Sequence, residues 1–155
     1  MRKITKEASE VFKAEINNDS KNYQPLPYDQ EKVVFSKDNT QVVIYWTKAK
    51  TQGRDKHTLL KLHGNTIAHR VQYLGSVDEA FNINLCGWGT PTTRERLNGL
   101  LETLGFDFRV KQKKGEQIAC GRKYGSNINR SYTLNEDGNT NVFLINRIIT
   151  GRNIT

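Results

Sequence analysis

Apolar residues recur along this chain at two periods, and the switches between them mark its elements. From residue 97 the spacing is helical. Leu97, Leu100, Leu101 and Leu104 fall at i, i+3, i+4 and i+7 on one stripe, with Arg94, Glu95, Arg96, Asn98 and Glu102 on the other faces. Thr90 followed by Pro91 is one possible start, and Thr92 with Glu95 three residues on, a capping box, is another. Gly105 supplies the stop. Before this helix, Gly87-Trp88-Gly89 sets a large aromatic between two permissive residues, which reads first as a core plug and second as an exposed stacking residue. A shorter helix reads over residues 5–16, with Thr5 as cap and Ala8, Val11, Phe12 and Ile16 on one face. At that length it must dock to persist.

Elsewhere the period is two. Residues 32–36 and 41–47 are β-branched and aromatic and flank Lys-Asp-Asn-Thr, which is hairpin chemistry. Residues 57–63 and 66–73 form a second hairpin about Gly64-Asn65, and 82–86 alternates into the Gly-Trp-Gly turn. After Gly105, Phe106, Phe108 and Val110 alternate with Asp107, Arg109 and Lys111; Lys113-Lys114-Gly115 then turns the chain and 116–120 pairs back. Residues 131–134 and 141–145 flank Asp137-Gly138, a strong hairpin signal, and Ile148 and Ile149 extend the last strand. Loops are expected at 17–30, which holds Pro25 and Pro27, and at 121–130. The polar run 48–56 reads as an exposed loop or as a basic finger of Lys48, Lys50, Arg54 and Lys56. The sum predicts an α+β fold, mainly antiparallel sheet with two helices packed against it. A single domain spans 1–155: the helix at 5–16, the loop at 17–30, and sheet and main helix over 31–155.

Composition adds a partner class. The 155 residues carry a net charge of +8, and 14 aromatics keep the chain foldable despite its polarity. Such a charge favours acidic partners, nucleic acid first, and no apolar run approaches membrane-spanning length, so no membrane partner is expected. The charged start, Met-Arg-Lys-Ile-Thr-Lys-Glu, lacks the apolar core of a signal peptide, so a cytoplasmic protein is expected. Cys86 and Cys120 have no CxxC spacing and read as reduced, buried thiols. His57, His63 and His69 recur every six residues without the tight pairs of a zinc site. No metal and no cofactor are expected, and His63 reads as a side chain hydrogen-bonded to its turn. Neither a GxSxG elbow nor a P-loop occurs, and the carboxylate pairs Asp78-Glu79 and Glu136-Asp137 read as solvated turns, so the expectation is a protein that is not an enzyme.

The candidate site is a phosphate seat. Thr92, Thr93 and Arg94 stand at a helix start, where backbone N–H groups and the positive dipole end favour anions. Arg109, Lys111, Lys113, Lys114, Arg122 and Lys123, with Arg130 beyond, concentrate positive charge on one hairpin and its loop, and Tyr124 and Tyr132 are interleaved as stacking platforms. Residues 91–155 carry 11 basic and 6 acidic side chains, against 13 and 10 in the first ninety. The competing reading is that the threonines only cap the helix and that the alternating cations are the wet face of an edge strand.

Several stretches resemble a known family: the opening Met-Arg-Lys-Ile-Thr-Lys-Glu-Ala, the turn Leu62-His63-Gly64-Asn65-Thr66-Ile67-Ala68, and Gly87-Trp88 followed by Thr92-Thr93-Arg94-Glu95-Arg96-Leu97-Asn98. These are similar to small proteins of tailed bacteriophages and prophages that have no assigned activity, over residues 1–16 and 59–112. The resemblance implies a setting, the cytoplasm of an infected bacterial host, and carries over no site residue. Two functions fit: an accessory protein that binds DNA or RNA with low sequence specificity, or an inhibitor that binds a host protein.

Overall fold

Three two-residue turns lay out most of the strands. At Asp38-Asn39, His63-Gly64 and Lys114-Gly115 both central residues are left-handed (φ 47° and 59°, 51° and 79°, 52° and 81°). That is the backbone of the type I′ turn, whose twist matches that of the strands it joins. The computed structural model describes residues 1–17, 27–48, 54–73, 79–122, 128–134 and 142–147. Along them run α1 (Lys3–Asn17), β1 (Lys32–Lys37), β2 (Thr40–Lys48), β3 (Arg54–Leu62), β4 (Asn65–Tyr73) and β5 (Glu79–Ile83). Then come α2 (Pro91–Thr103), β6 (Phe108–Lys113), β7 (Glu116–Arg122), β8 (Asn129–Thr133) and β9 (Val142–Arg147). The fold is α+β, as the two periods predict. The strands are antiparallel and form two sheets rather than one, β1-β2-β3-β4-β5-β9 and β6-β7-β8.

The hairpin expected across Asp137-Gly138 does not form, because β8 and β9 lie in different sheets. β9 pairs instead with β5, setting Val142 opposite Ile83 and Ile145 opposite Phe81. Burial of this apolar strand in the large sheet outweighs a local turn preference. Smaller corrections follow the same logic. The turn expected at Gly64-Asn65 is centred one residue earlier, and the strand expected at 82–86 is β5 at 79–83. Glu79 is not in a solvated turn but in that strand, paired with Arg70 at 2.5 Å. Residues 49–53, 123–127 and 135–141 lie outside the described residues.

One apolar cluster joins both sheets and both helices. Phe12 of α1 meets Phe81 edge-on at 6.1 Å, Phe81 stacks on Phe106 at 5.4 Å, and Leu97, Leu100 and Leu101 of α2 are fully buried with Phe108 and Val110. The last carbonyls of α1, which no helical N–H can satisfy, take donors from the sheet. Lys56 Nζ donates to Glu15 O (2.6 Å) and pairs with the Glu15 carboxylate (3.0 Å), and Gln72 Nε2 donates to Ile16 O (2.8 Å). Lys56 is therefore no finger: its side chain is buried, and its charge sits where the helix dipole is negative.

The two helices and the large sheet meet at Arg96. The helical pattern assigns this residue to the wet side, yet it is only 5% exposed. Arg96 Nη1 donates to Thr5 Oγ1 (2.9 Å) and its Nε to Thr40 Oγ1 (3.1 Å), while Glu95 Oε1 accepts from both Arg96 and Thr5. Thr5 is thus no helix cap, since α1 begins at Lys3 and Thr5 is buried against α2. Beside this network Gly99 lets the helices touch. A Cβ there would sit on the Thr5 methyl and 3.2 Å from Met1 Cγ.

Gly99→Ala is therefore expected to lower stability by ~2 kcal/mol in chemical denaturation, and Thr5→Ser in the same chain to recover part of that loss by removing the methyl while keeping the hydroxyl. Arg96→Ala, which strands Glu95 and two hydroxyls, should cost ~3 kcal/mol. Equal midpoints for Gly99→Ala with and without Thr5→Ser would show that the contact does not set the helix spacing.

Candidate functional site

The small sheet has one dry and one wet face. Its register places Phe108, Val110, Ala119 and Tyr132 on the side turned to α2, and Asp107, Arg109, Lys111, Lys113, Glu116, Ile118, Cys120 and Arg122 on the other. Arg109, Lys111, Lys113 and Arg122 are exposed and share that outer face, with Lys114 exposed in the turn that joins β6 to β7. Four cations thus stand against the carboxylates of Asp107 and Glu116. The Arg122–Asp107 pair is loose, at 3.9 Å, and Arg109 folds back to donate to the Phe108 carbonyl at 2.8 Å. Arg130 lies on the inner side of β8, opposite Gly121 and exposed. Lys123 and Tyr124 lie outside the described residues. Tyr132 faces Phe108, ring centroids 6.4 Å apart, and is half-buried rather than presented to solvent.

The helix start is built differently from the expected seat. Thr90 is the N-cap: its hydroxyl accepts from the Thr93 N–H at 3.2 Å, and Pro91 at the first helical position has no N–H to offer. Thr93 is buried and its hydroxyl lies 3.1 Å from that of Thr90. Arg94 turns back to donate to Gly89 O (2.7 Å) and Gln117 Oε1 (3.0 Å). Of the three residues expected at a phosphate, Thr93 and Arg94 are occupied in holding the turn, and Thr92 remains half-buried at the rim. The structure therefore does not bring the helix start and the outer cations onto one face. It does bring them to one end of the molecule, because Gln117 sits beside Gly89 and Arg94 while its own strand turns at Lys114-Gly115.

At that end Trp88 is 60% exposed, against 5% for Trp46. It is no core plug. Leu85 O accepts from Trp88 N (2.9 Å) to close a turn whose central residues, Cys86 and Gly87, are both left-handed (φ 54° and 79°). Cys86 N donates to Asn84 Oδ1 (2.8 Å) and Cys86 Sγ to Thr66 O (3.0 Å), tying the turn to β4. Burial raises the Cys86 thiol pKa, which keeps it protonated and a donor. Cys86 and Cys120 are free and half-buried. Between this turn, the β3–β4 turn and the start of α2 lies a cleft of about 490 Å³ floored by Leu62, Ile67 and Leu85. Its walls come from two of the stretches that carry the sequence resemblance, 62–68 and 87–93. A pattern of periods could not find it, since its lining comes from two separate segments, 62–67 and 85–93, that only the fold brings together.

A second grouping was also out of reach of spacing alone. His57 and His69, twelve residues apart, are neighbours across β3 and β4: His57 Nδ1 lies 2.8 Å from His69 Nε2, His57 Nε2 lies 2.8 Å from Thr47 Oγ1, and Tyr45 stacks on His57 at 4.3 Å. Burial, then the neighbouring His69, pushes the His57 pKa down to about 4, and burial also lowers that of His69. Burial, with Glu31 and Asp29 nearby, raises that of Tyr45. His63 stands apart, exposed in its turn. Among the described residues no three His, Cys, Asp or Glu side chains are grouped to hold a metal ion, and no helix is long and apolar enough to cross a membrane.

Residues 1–140 match the Kyanoviridae Gp96 protein family, and the chain belongs to that family, which makes it a phage protein. No curated protein and no solved structure matches it.

The histidine pair makes stability depend on pH with a definite sign. In the unfolded chain an imidazole titrates near its ordinary value of 6.5, whereas folded His57 stays neutral down to about 4. Between those values the unfolded chain binds protons that the folded chain does not, so stability is full above the upper value and falls as pH drops toward the lower. The thermal midpoint of the wild type is expected to fall through this window by roughly 5 °C more than that of His57→Gln, which shares every carboxylate but lacks the ring. Parallel curves for the two proteins would sink this account.

Proposed function

We propose that this phage protein acts in the cytoplasm of the infected host as a binding protein rather than an enzyme, holding nucleic acid through its phosphates with low sequence specificity. The contacts are assigned to Arg109, Lys111, Lys113, Lys114 and Arg122. The observation that carries the reading is the alternation along β6, which turns every second residue outward as an exposed cation while its apolar partners face the core. Lys111, Lys113 and Lys114 pair with no carboxylate among the described residues. A net charge of +8 adds long-range attraction to any polyanion. The polar outward residues of β8, Asn129, Ser131 and Thr133, continue the same face and can donate to phosphate oxygens. The helix start, with its cap closed by Thr90, takes no part in this assignment.

Phosphate contact releases counterions, so affinity follows salt. With these five contacts, binding to an unrelated oligonucleotide is expected to weaken by about 100- to 500-fold between about 50 and 200 mM salt. Lys111→Glu with Lys113→Glu should weaken binding at low salt and flatten the salt dependence by about two contacts, with the melting temperature within about 2 °C of wild type because both side chains are exposed. Absence of binding at low salt would refute the reading. So would a host protein from a nuclease-treated lysate that is retained by the wild type and lost with this charge reversal, because that outcome assigns the same cations to an acidic protein surface.

A further inference from the structure

We infer that the cleft beneath Trp88 takes an unpaired nucleobase, so that the nucleic acid held by this protein is single-stranded. The inference rests on the nucleic-acid reading above and names its substrate class. Trp88 combines a fixed backbone with a free ring. Its turn is held by the Trp88 N to Leu85 O bond and by both bonds of Cys86, and Asn84 N donates to Ile67 O at 2.9 Å on the strand alongside. An indole left 60% exposed on so constrained a turn is a platform that loses little conformational freedom on binding.

The cleft supplies what a base needs. Its volume of about 490 Å³ lies in the range of small-ligand sites, and its apolar floor of Leu62, Ile67 and Leu85 is edged by polar groups of Asn65 and Thr92 that can meet the hydrogen-bonding edge of a base. Positive charge is close at hand. Gln117, in contact with Gly89 and Arg94, lies one residue from Glu116, whose strand partner is Lys113, so the Lys113-Lys114 tip stands at the same end of the protein as the cleft. A strand running from the outer face of the small sheet past this tip delivers its bases toward Trp88. A base can enter only if unpaired, because in a duplex its faces are already stacked and its edge already bonded.

Two oligonucleotides of one length and composition, a single strand and a hairpin duplex, test this by anisotropy at low salt and by tryptophan emission. Trp46 is buried, so a change in emission on binding reports Trp88. The expected result is tighter binding of the single strand by about tenfold or more, with quenching, and a loss of about tenfold for the single strand in Trp88→Ala that Trp88→Phe largely restores. A wild-type single-strand affinity in Trp88→Ala, or binding of both forms without a change in emission, overturns the inference while leaving the phosphate-binding face standing. Binding of neither form at low salt overturns both. A thermal melt of Trp88→Ala, expected to match the wild type because the ring is exposed, guards against reading a folding defect as a lost contact.

Discussion

The buried guanidinium of Arg96 is the junction on which the arrangement depends. A charge of this size is tolerated out of water only when its donors are met, and here the acceptors come from three separate elements: Thr5 of α1, Thr40 of β2 and Glu95 of α2 itself. Any other rotation of α2 about its axis would leave that charge in the core without partners. Because the same rotation aims Leu97, Leu100 and Leu101 at the apolar cluster, the polar and apolar constraints select one orientation together. Gly99, one turn on, then permits the helices the contact distance that the network requires.

α2 so oriented also holds the small sheet. Asn98 reaches the open edge of β6, its Nδ2 donating to Val110 O (2.8 Å) and its Oδ1 accepting from Val110 N (2.7 Å), which fastens the strand to the helix and occupies an edge that would otherwise invite a further strand. The inner face is then covered by the helix and the common core, and period-two alternation leaves the outer face to solvent. The same outward positions on the large sheet are treated differently, since the Tyr45, His57 and His69 side chains there are half-buried, with Tyr45 stacked on His57 and His57 hydrogen-bonded to His69.

The phage setting and the geometry bear on function at different levels. Family membership says in what genome the chain is found; the cation face, the closed helix cap and the exposed indole say which surfaces are available to a partner. The proposed partner, an acidic polymer that also presents flat apolar groups, would meet both the charged tip and the apolar cleft at this end of the molecule.

What the sequence determined by itself is local. Turn residues and period-two alternation located β1, β2, β3, β4, β6 and β7 to within a few residues, and the leucine spacing with Thr90-Pro91 located α2, because each signal depends on neighbours in the chain. The outward cations of β6 were legible for the same reason. The tertiary structure alone decided that Arg96 and Lys56 are buried, that Trp88 is not, that β8 and β9 separate into two sheets, and that His57 meets His69. Each of these is settled by partners distant in sequence: a polar side chain enters the core when several elements converge to satisfy it, and an aromatic stays outside when its turn is held elsewhere. Periodicity records which side of an element is apolar; it carries no record of what comes to lie against that side.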